Sequence, residues 1–245
     1  VAAVSGGGIR AVLFDLDDTL FAHRESVETG IHAYRAALGG ALAQGEPAAE
    51  FARWNALEEE HYHRYLAGEV DFREQRRARA RGFVAPYGIE LDDGAAEAWF
   101  ETYLVHYETS WRLHDDVGDC IAAIAPRALG IITNGELAFQ TAKILGTGLE
   151  ALIPLENVVA SGEVGVAKPD ARIFELAADH LGVTTAEACY VGDRLHTDAI
   201  GAARAGMLGV LIDRRGVATA EQLAEAAAEG VHVIRSLDEL PALLG

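Results

Sequence analysis

Asp15, Asp17 and Asp18 crowd into four positions directly behind the apolar run Ala11-Val12-Leu13-Phe14, and Thr19 follows them. Carboxylates packed this closely repel. At about 4 Å the cost is roughly 1 kcal/mol in water and about 4 kcal/mol at a protein-surface dielectric. A cation, or a gain in function, must offset it. Three further stretches carry reactive types: Thr133-Asn134-Gly135, Lys168 ahead of Pro169-Asp170, and Asp193 with Asp198 five residues on. Four segments therefore supply carboxylates, a hydroxyl, a lysine and loop amides. That set can balance charge around a cation and an anion only if the fold brings the segments together.

The elements that must position them alternate. "LGIITNG", "ACYVGD" and "LGVLID" are short apolar runs ending in polar or glycine residues. The helical patterns "ELAFQTAKIL", "PDARIFELAADHLG" and "HTDAIGAARAG" lie around them, with Pro169 as a possible helix start. A late strand, "VHVIRS", precedes a last short helix. Alternation of this kind predicts an α/β fold, a doubly wound parallel sheet with helices on both faces. Residues 9–14 read as its first strand. Ligands in open parallel sheets bind beyond the carboxyl ends of the strands. Asp15 and Asp17, Thr133 and Asn134, and Asp193 all fall at such ends.

Between the first strand and the rest lies a block of helical pattern. "PAAEFARWNALEEEHYHRYLAG" places Phe51, Trp54, Glu58, His61, Tyr62 and Tyr65 at spacings of three and four, with Pro47 near its start. Asp71 is a good N-cap for "DFREQRRARARGF". Trp99, Tyr103 and His106 mark a third helix, and the aromatic residues read as packing. The expected division is a sheet domain of residues 1–21 and 112–245 and a helical insertion of residues 22–111. Glu58-Glu59-Glu60 reads as a solvated face, and the histidines show no shared metal spacing. At about 100° per residue, Arg76 and Arg79 share a side with Phe72, while Arg73 and Arg77 share another. Two readings follow: Arg76 and Arg79 look into a substrate cleft, or the helix is solvated and paired with nearby acids.

Composition narrows the partners. Half of the 245 residues are apolar, which suffices for a sizeable core. Thirty-eight acids against 20 Lys and Arg give a net charge of -18, which argues against nucleic acid or anionic lipid as partners. Cys120 and Cys189 lie far apart with no CxxC, as suits a reducing, cytoplasmic setting. No apolar stretch reaches the length of a membrane span. The start, "VAAVSGGGIR", has no signal-peptide pattern and no GKS or GKT behind its glycines, and reads as a loose leader. Oligomeric state is unreadable here.

"DLDDT", "TNG", the lysine before "PD", and "GDRLHTD", in that order, resemble the four motifs of the haloacid dehalogenase (HAD) superfamily. The resemblance covers nearly the whole chain and implies a Rossmann-like core with an inserted α-helical cap of the first subfamily, closing over the site. It also implies roles. Asp15 would be the nucleophile that takes a phosphoryl group, and Asp17 the general acid and then base. Thr133 and the amide of Asn134 would hold phosphoryl oxygens, and Lys168 would neutralise charge in the transition state. Asp15, Asp193 and the backbone carbonyl of Asp17 would bind Mg²⁺, a hard ion suited to oxygen ligands. Asp198 would support the site by hydrogen bonding.

The function so implied is Mg²⁺-dependent hydrolysis of a small phosphorylated metabolite through an aspartyl-phosphate. Asp17 separates this from true dehalogenases, which need no acid two residues after the nucleophile. A phosphomutase shares the first half-reaction and stays open. A phospho-aspartate signalling receiver uses similar groups, but in another motif order and without such an insertion. Thr19 keeps two readings, a turn cap or, by the resemblance, a brace for the loop; Asp18 reads as a solvated turn or helix-start acid.

Overall fold

A computed structural model of the chain describes residues 8–245; the first seven of the ten residues read as a leader lie outside them. Six strands form one parallel sheet: β1 (Ala11–Phe14), β2 (Ala128–Thr133), β3 (Val158–Ala160), β4 (Ala188–Gly192), β5 (Leu208–Ile212) and β6 (His232–Ile234). Their order is β3-β2-β1-β4-β5-β6. The strand expected over residues 9–14 thus begins two residues later.

Helices α1 (His23–Leu38), α2 (Gly40–Gln44), α3 (Pro47–Leu66), α4 (Phe72–Val84) and α5 (Asp93–Glu108) separate β1 from β2, and α6 (Val117–Ile124) leads into β2. Later come α7 (Leu137–Thr147), α8 (Ser161–Val164), α9 (Ala171–His180), α10 (Gly201–Arg204), α11 (Ala220–Ala228) and α12 (Leu240–Leu244). β1 and β4 are wholly buried, as continuous apolar runs must be when both faces of a sheet are covered. Phe14 pairs with Ile131 on one side and Val191 on the other, so the strand order reverses between β1 and β4. A crevice opens at such a reversal. Among the described residues, no helix is long and apolar enough to cross a membrane.

The chain forms two compact units: the stretch ending at Ala22 with Arg112–Gly245, and His23–Trp111. In the sheet unit the two crossing points lie side by side. The Ala22 N–H donates to the Arg112 carbonyl (3.0 Å), and the His114 N–H to that of Leu20 (2.9 Å). α9 starts after Pro169, where the Asp170 carboxylate accepts the Arg172 N–H (3.0 Å) and caps the helix.

The helical unit has its own aromatic core, in which Trp54, Phe83, Trp99, Phe100 and Tyr103 are buried. Asp71 caps α4 by accepting the Glu74 N–H (2.7 Å). The arginines of α4 behave differently from one another. Arg73 and Arg77 reach Glu97 of α5 (3.0 and 3.3 Å), and Arg81 pairs with Glu74 (3.1 Å) and Asp93. Arg79 is buried, lies over the Trp54 ring (4.7 Å) and binds Glu58 (2.8 Å). Glu58 is therefore a partner for a buried cation and not part of a solvated face. Arg76 lies over Phe72 (4.2 Å) and Phe100 (5.3 Å), so the aromatic side expected for Arg76 and Arg79 is the helix's packed side.

Candidate active site

The first strand hands its ladder directly to the acidic loop, since the Asp15 N–H donates to the Val191 carbonyl (2.8 Å). The chain then turns sharply. Leu16 accepts from the Leu20 and Phe21 N–H groups (3.1 and 2.8 Å), and the Asp18 N–H donates to the Phe21 carbonyl (2.7 Å). Asp18 has a left-handed φ of 59°, which aspartate tolerates better than most residues. It is half-buried in the turn, and so less solvated than its type suggests. Thr19 is fully buried, and its carbonyl accepts from the Arg214 guanidinium (2.7 Å). Its hydroxyl has no hydrogen-bond partner among the described residues, so neither a turn cap nor a hydroxyl-mediated brace is formed.

Lys168 explains how the acids coexist. Its Nζ is buried and donates to Asp15 Oδ1 (2.6 Å), Asp198 Oδ1 (2.7 Å) and the Tyr190 hydroxyl (2.8 Å). Those bonds use all three donors of an ammonium. Tyr190 in turn donates to the Ile132 carbonyl (3.1 Å), as a tyrosine in a buried strand must find a partner. Burial opposes the charge on Lys168, but Asp15 and Asp198 outweigh it and raise its pKa.

Oxygens of Asp15, Asp193 and Asp198 all lie within 4.8 Å of one another. Burial pushes the Asp15 carboxyl up; Lys168 pulls it down, Asp198 and Asp17 push it up again, and the result is about 7. Burial, with Asp15 and Asp198 close by, raises Asp193 well above the usual carboxylate range. One lysine is therefore too little charge for three acids, and the cluster suits a hard divalent cation. The Asp17 carboxylate lies outside this group. Lys143 of α7 binds both its oxygens (2.7 and 2.9 Å), and Gln140 Nε2 donates to Oδ2 (3.1 Å).

Asp198 lies in the first turn of the helical segment that follows β4. Leu195–Ile200 forms a π-helical turn ahead of α10, and both the Asp198 and Ala199 N–H groups donate to the Arg194 carbonyl (3.0 and 3.3 Å). Such wide turns re-aim side chains and recur at functional sites. Here the turn lowers Asp198 onto the end of β4. A Cβ on Gly192 would lie 2.5 Å from the Asp198 Cβ and Cγ, so only glycine fits there.

Thr133 ends β2, and its hydroxyl accepts from Gln140 Nε2 (2.7 Å). Asn134 works through its side chain. Its Nδ2 donates to the Lys168 carbonyl (2.9 Å), and its Oδ1 accepts the Lys168 N–H (2.8 Å). This two-way amide pairing holds the loop that carries Lys168.

A family model described as haloacid dehalogenase-like hydrolase matches residues 9–206. The chain belongs to the haloacid dehalogenase-like hydrolases. It is 34% identical over 214 residues to a glyceraldehyde 3-phosphate phosphatase of Methanopyrus kandleri, covering 84% of each chain. It is 29% identical to a ribulose-1,5-bisphosphate 5-phosphatase of Halopiger xanaduensis, covering 96% of this chain and 98% of the relative. The HAD-hydrolase YfnB of Bacillus subtilis, solved bound to magnesium, shares the fold with a TM-score of 0.76 at 20% identity, covering 97% of this chain and 99% of YfnB.

Against the expectations for a HAD hydrolase, sequence reasoning missed Lys143, Gln140 and Tyr190. A signal existed for each. Gln140 and Lys143 are three residues apart on α7, directly behind "TNG", and Tyr190 is a polar-tipped residue inside an apolar strand. It also missed Arg214, which clamps Asp116 bidentately (2.7 and 3.0 Å) while holding the Thr19 carbonyl.

Proposed function

We propose that this HAD hydrolase is a Mg²⁺-dependent phosphatase of small phosphomonoesters that works through an aspartyl-phosphate on Asp15. The observation that carries the reading is the separation of two acids two residues apart. Asp15 sits in the three-acid cluster with Lys168 upon it, whereas Asp17 is turned away to Lys143 and Gln140. This separation supports giving attack to Asp15 and proton transfer to Asp17. The names of the relatives in Methanopyrus and Halopiger, both phosphatases of phosphorylated metabolites, support the substrate class.

Asp15 and Asp193, with the Asp17 carbonyl, would hold the ion, and Asp198 stands close enough to add its charge. Bound there, Mg²⁺ supplies positive charge that offsets both the acids and the phosphate oxygens. Asp15 attacks phosphorus, and the bond from phosphorus to the ester oxygen breaks. Asp17, once protonated, gives that proton to the departing oxygen. It then takes a proton from the water that attacks phosphorus and frees Asp15. Lys168 and the Thr133 hydroxyl meet the negative charge on the transferring group.

The test is phosphate release from a panel of phosphate esters, with Mg²⁺ or with excess EDTA. Chelation should abolish release and Mg²⁺ should restore it. An acid-quenched reaction with ³²P-labelled substrate should leave label on Asp15 and none on the Asp15→Asn protein. Full turnover in EDTA, or a tenth of wild-type turnover in Asp15→Asn, would sink the mechanism.

A further inference from the structure

We infer that Lys143 and Gln140 of α7 form a clamp that positions the two groups flanking Asp15: the Asp17 carboxylate and the Thr133 hydroxyl. The inference rests on the phosphatase reading above and assigns it two positioning residues. Lys143 is buried, with 3% of its side chain exposed, and its Nζ grips both oxygens of Asp17 (2.7 and 2.9 Å). That ammonium also lies over the Phe21 (5.2 Å) and Phe139 (5.1 Å) rings, which walls it in and limits its alternatives. A carboxylate held at both oxygens has one rotamer. Asp17 itself is about one-third exposed, so the burial that fixes it comes from its partner.

Gln140 ties the second group to the first. Its Nε2 donates to Thr133 Oγ1 (2.7 Å) and to Asp17 Oδ2 (3.1 Å). A hydroxyl that accepts from an amide keeps its own proton to give elsewhere. Gln140 thereby leaves the Thr133 O–H as a donor for an anion. The reach is possible because residue 135 is glycine: a Cβ there would lie 2.9 Å from Gln140 Nε2. Residues three apart share a helix face, so one face of α7 aims both side chains. The glycine of "TNG" and the polar pair behind it form one device.

A positioning role predicts that loss of Lys143 hurts the steps that need Asp17 and spares the step that does not. Protonation matters for an alkyl leaving group and little for p-nitrophenolate. In Lys143→Met, kcat/KM for ethyl phosphate should fall about 100-fold, the scale of lost general acid catalysis. For p-nitrophenyl phosphate, kcat/KM runs only through phosphorylation of Asp15, so it should fall less than about 5-fold. Release of phosphate from Asp15 also needs Asp17, so the variant should show a burst of p-nitrophenol followed by slow turnover. Lys143→Arg, which keeps the charge, should recover at least about tenfold of the ethyl phosphate loss.

Equal losses with both esters, or no loss with either, would overturn the assignment. The Lys143 Nζ resonance of ¹⁵N-lysine-labelled protein gives a reading independent of turnover. Identified by its absence from Lys143→Met, it should move in Asp17→Asn and stay in place in Asp198→Asn. A resonance indifferent to Asp17→Asn overturns the clamp whatever the activity. If the wild-type protein hydrolyses neither ester, the phosphatase reading falls instead, and the resonance alone decides the pairing.

Discussion

Replacing Lys168 by methionine would keep most of the side-chain volume and remove the charge on which Asp15 and Asp198 both rest. The ammonium lies 2.6 and 2.7 Å from their oxygens with 2% of its side chain exposed. Breaking a buried pair by deleting one partner typically costs about 3–5 kcal/mol, because the other charge is left uncompensated. Here two acids lose their cation, while Asp198 keeps only the Arg194 N–H (3.0 Å) and the Tyr190 hydroxyl (3.3 Å) among the bonds described. For a chain of this length about 1 kcal/mol moves Tm by roughly 2–4 °C, so in EDTA at neutral pH the variant should melt about 6–20 °C lower. The assay is a calorimetric melt with EDTA and again with millimolar Mg²⁺. Mg²⁺ should raise Tm more in the variant than in the wild type, because the acids of the cluster then hold more uncompensated charge. Turnover should fall by about 10²–10³, as for loss of a preorganised charge. A variant that melts within about 2 °C of wild type in EDTA would refute the reasoning. It would mean that the pairing contributes no net stability and that the acids are accommodated some other way.

Asp116 offers a pH test away from the site. Burial pushes its carboxyl up, but Arg214, the Leu237 N–H and the Ser236 hydroxyl outweigh this and hold it below the usual range. Its contribution is therefore complete above the unfolded carboxylate pKa of about 4 and is lost as pH falls through the lower folded value. Asp116→Asn should cost about 1.5–3 kcal/mol at pH 7 by urea titration, with the gap to wild type closing below about pH 4; a constant gap would contradict the ion pair. Gly192→Ala places a methyl group 2.5 Å from Asp198 and should cost at least about 1–3 kcal/mol. It should also depress kcat more than KM, because the displaced Asp198 anchors Lys168; wild-type kcat would show that the turn can give way.

What the sequence by itself determined is local. Apolar runs ending in polar or glycine residues located the strands, and chain alternation implied a parallel sheet whose carboxyl ends carry Asp15, Thr133 and Asp193. The N-cap of α4 at Asp71 followed from residue type, because capping involves only neighbours three residues apart. Tertiary structure alone decided which side chains meet. Lys143 and Asp17 are 126 positions apart, and Lys168 and Asp15 are 153 apart, so no periodicity relates them. Only the order of strands, with β1 between β2 and β4, brings α7 to Asp17 and the Lys168 loop to Asp15. Helical angle placed Arg79 on the aromatic side of α4, but whether that side met water, a cleft or a core depended on α3, which supplied Trp54 and Glu58. Asp198 shows the same limit at short range. It lies in the first turn of the helical segment after β4, but only the packing of that turn against Gly192, which has no side chain to intervene, buries its carboxylate against Lys168.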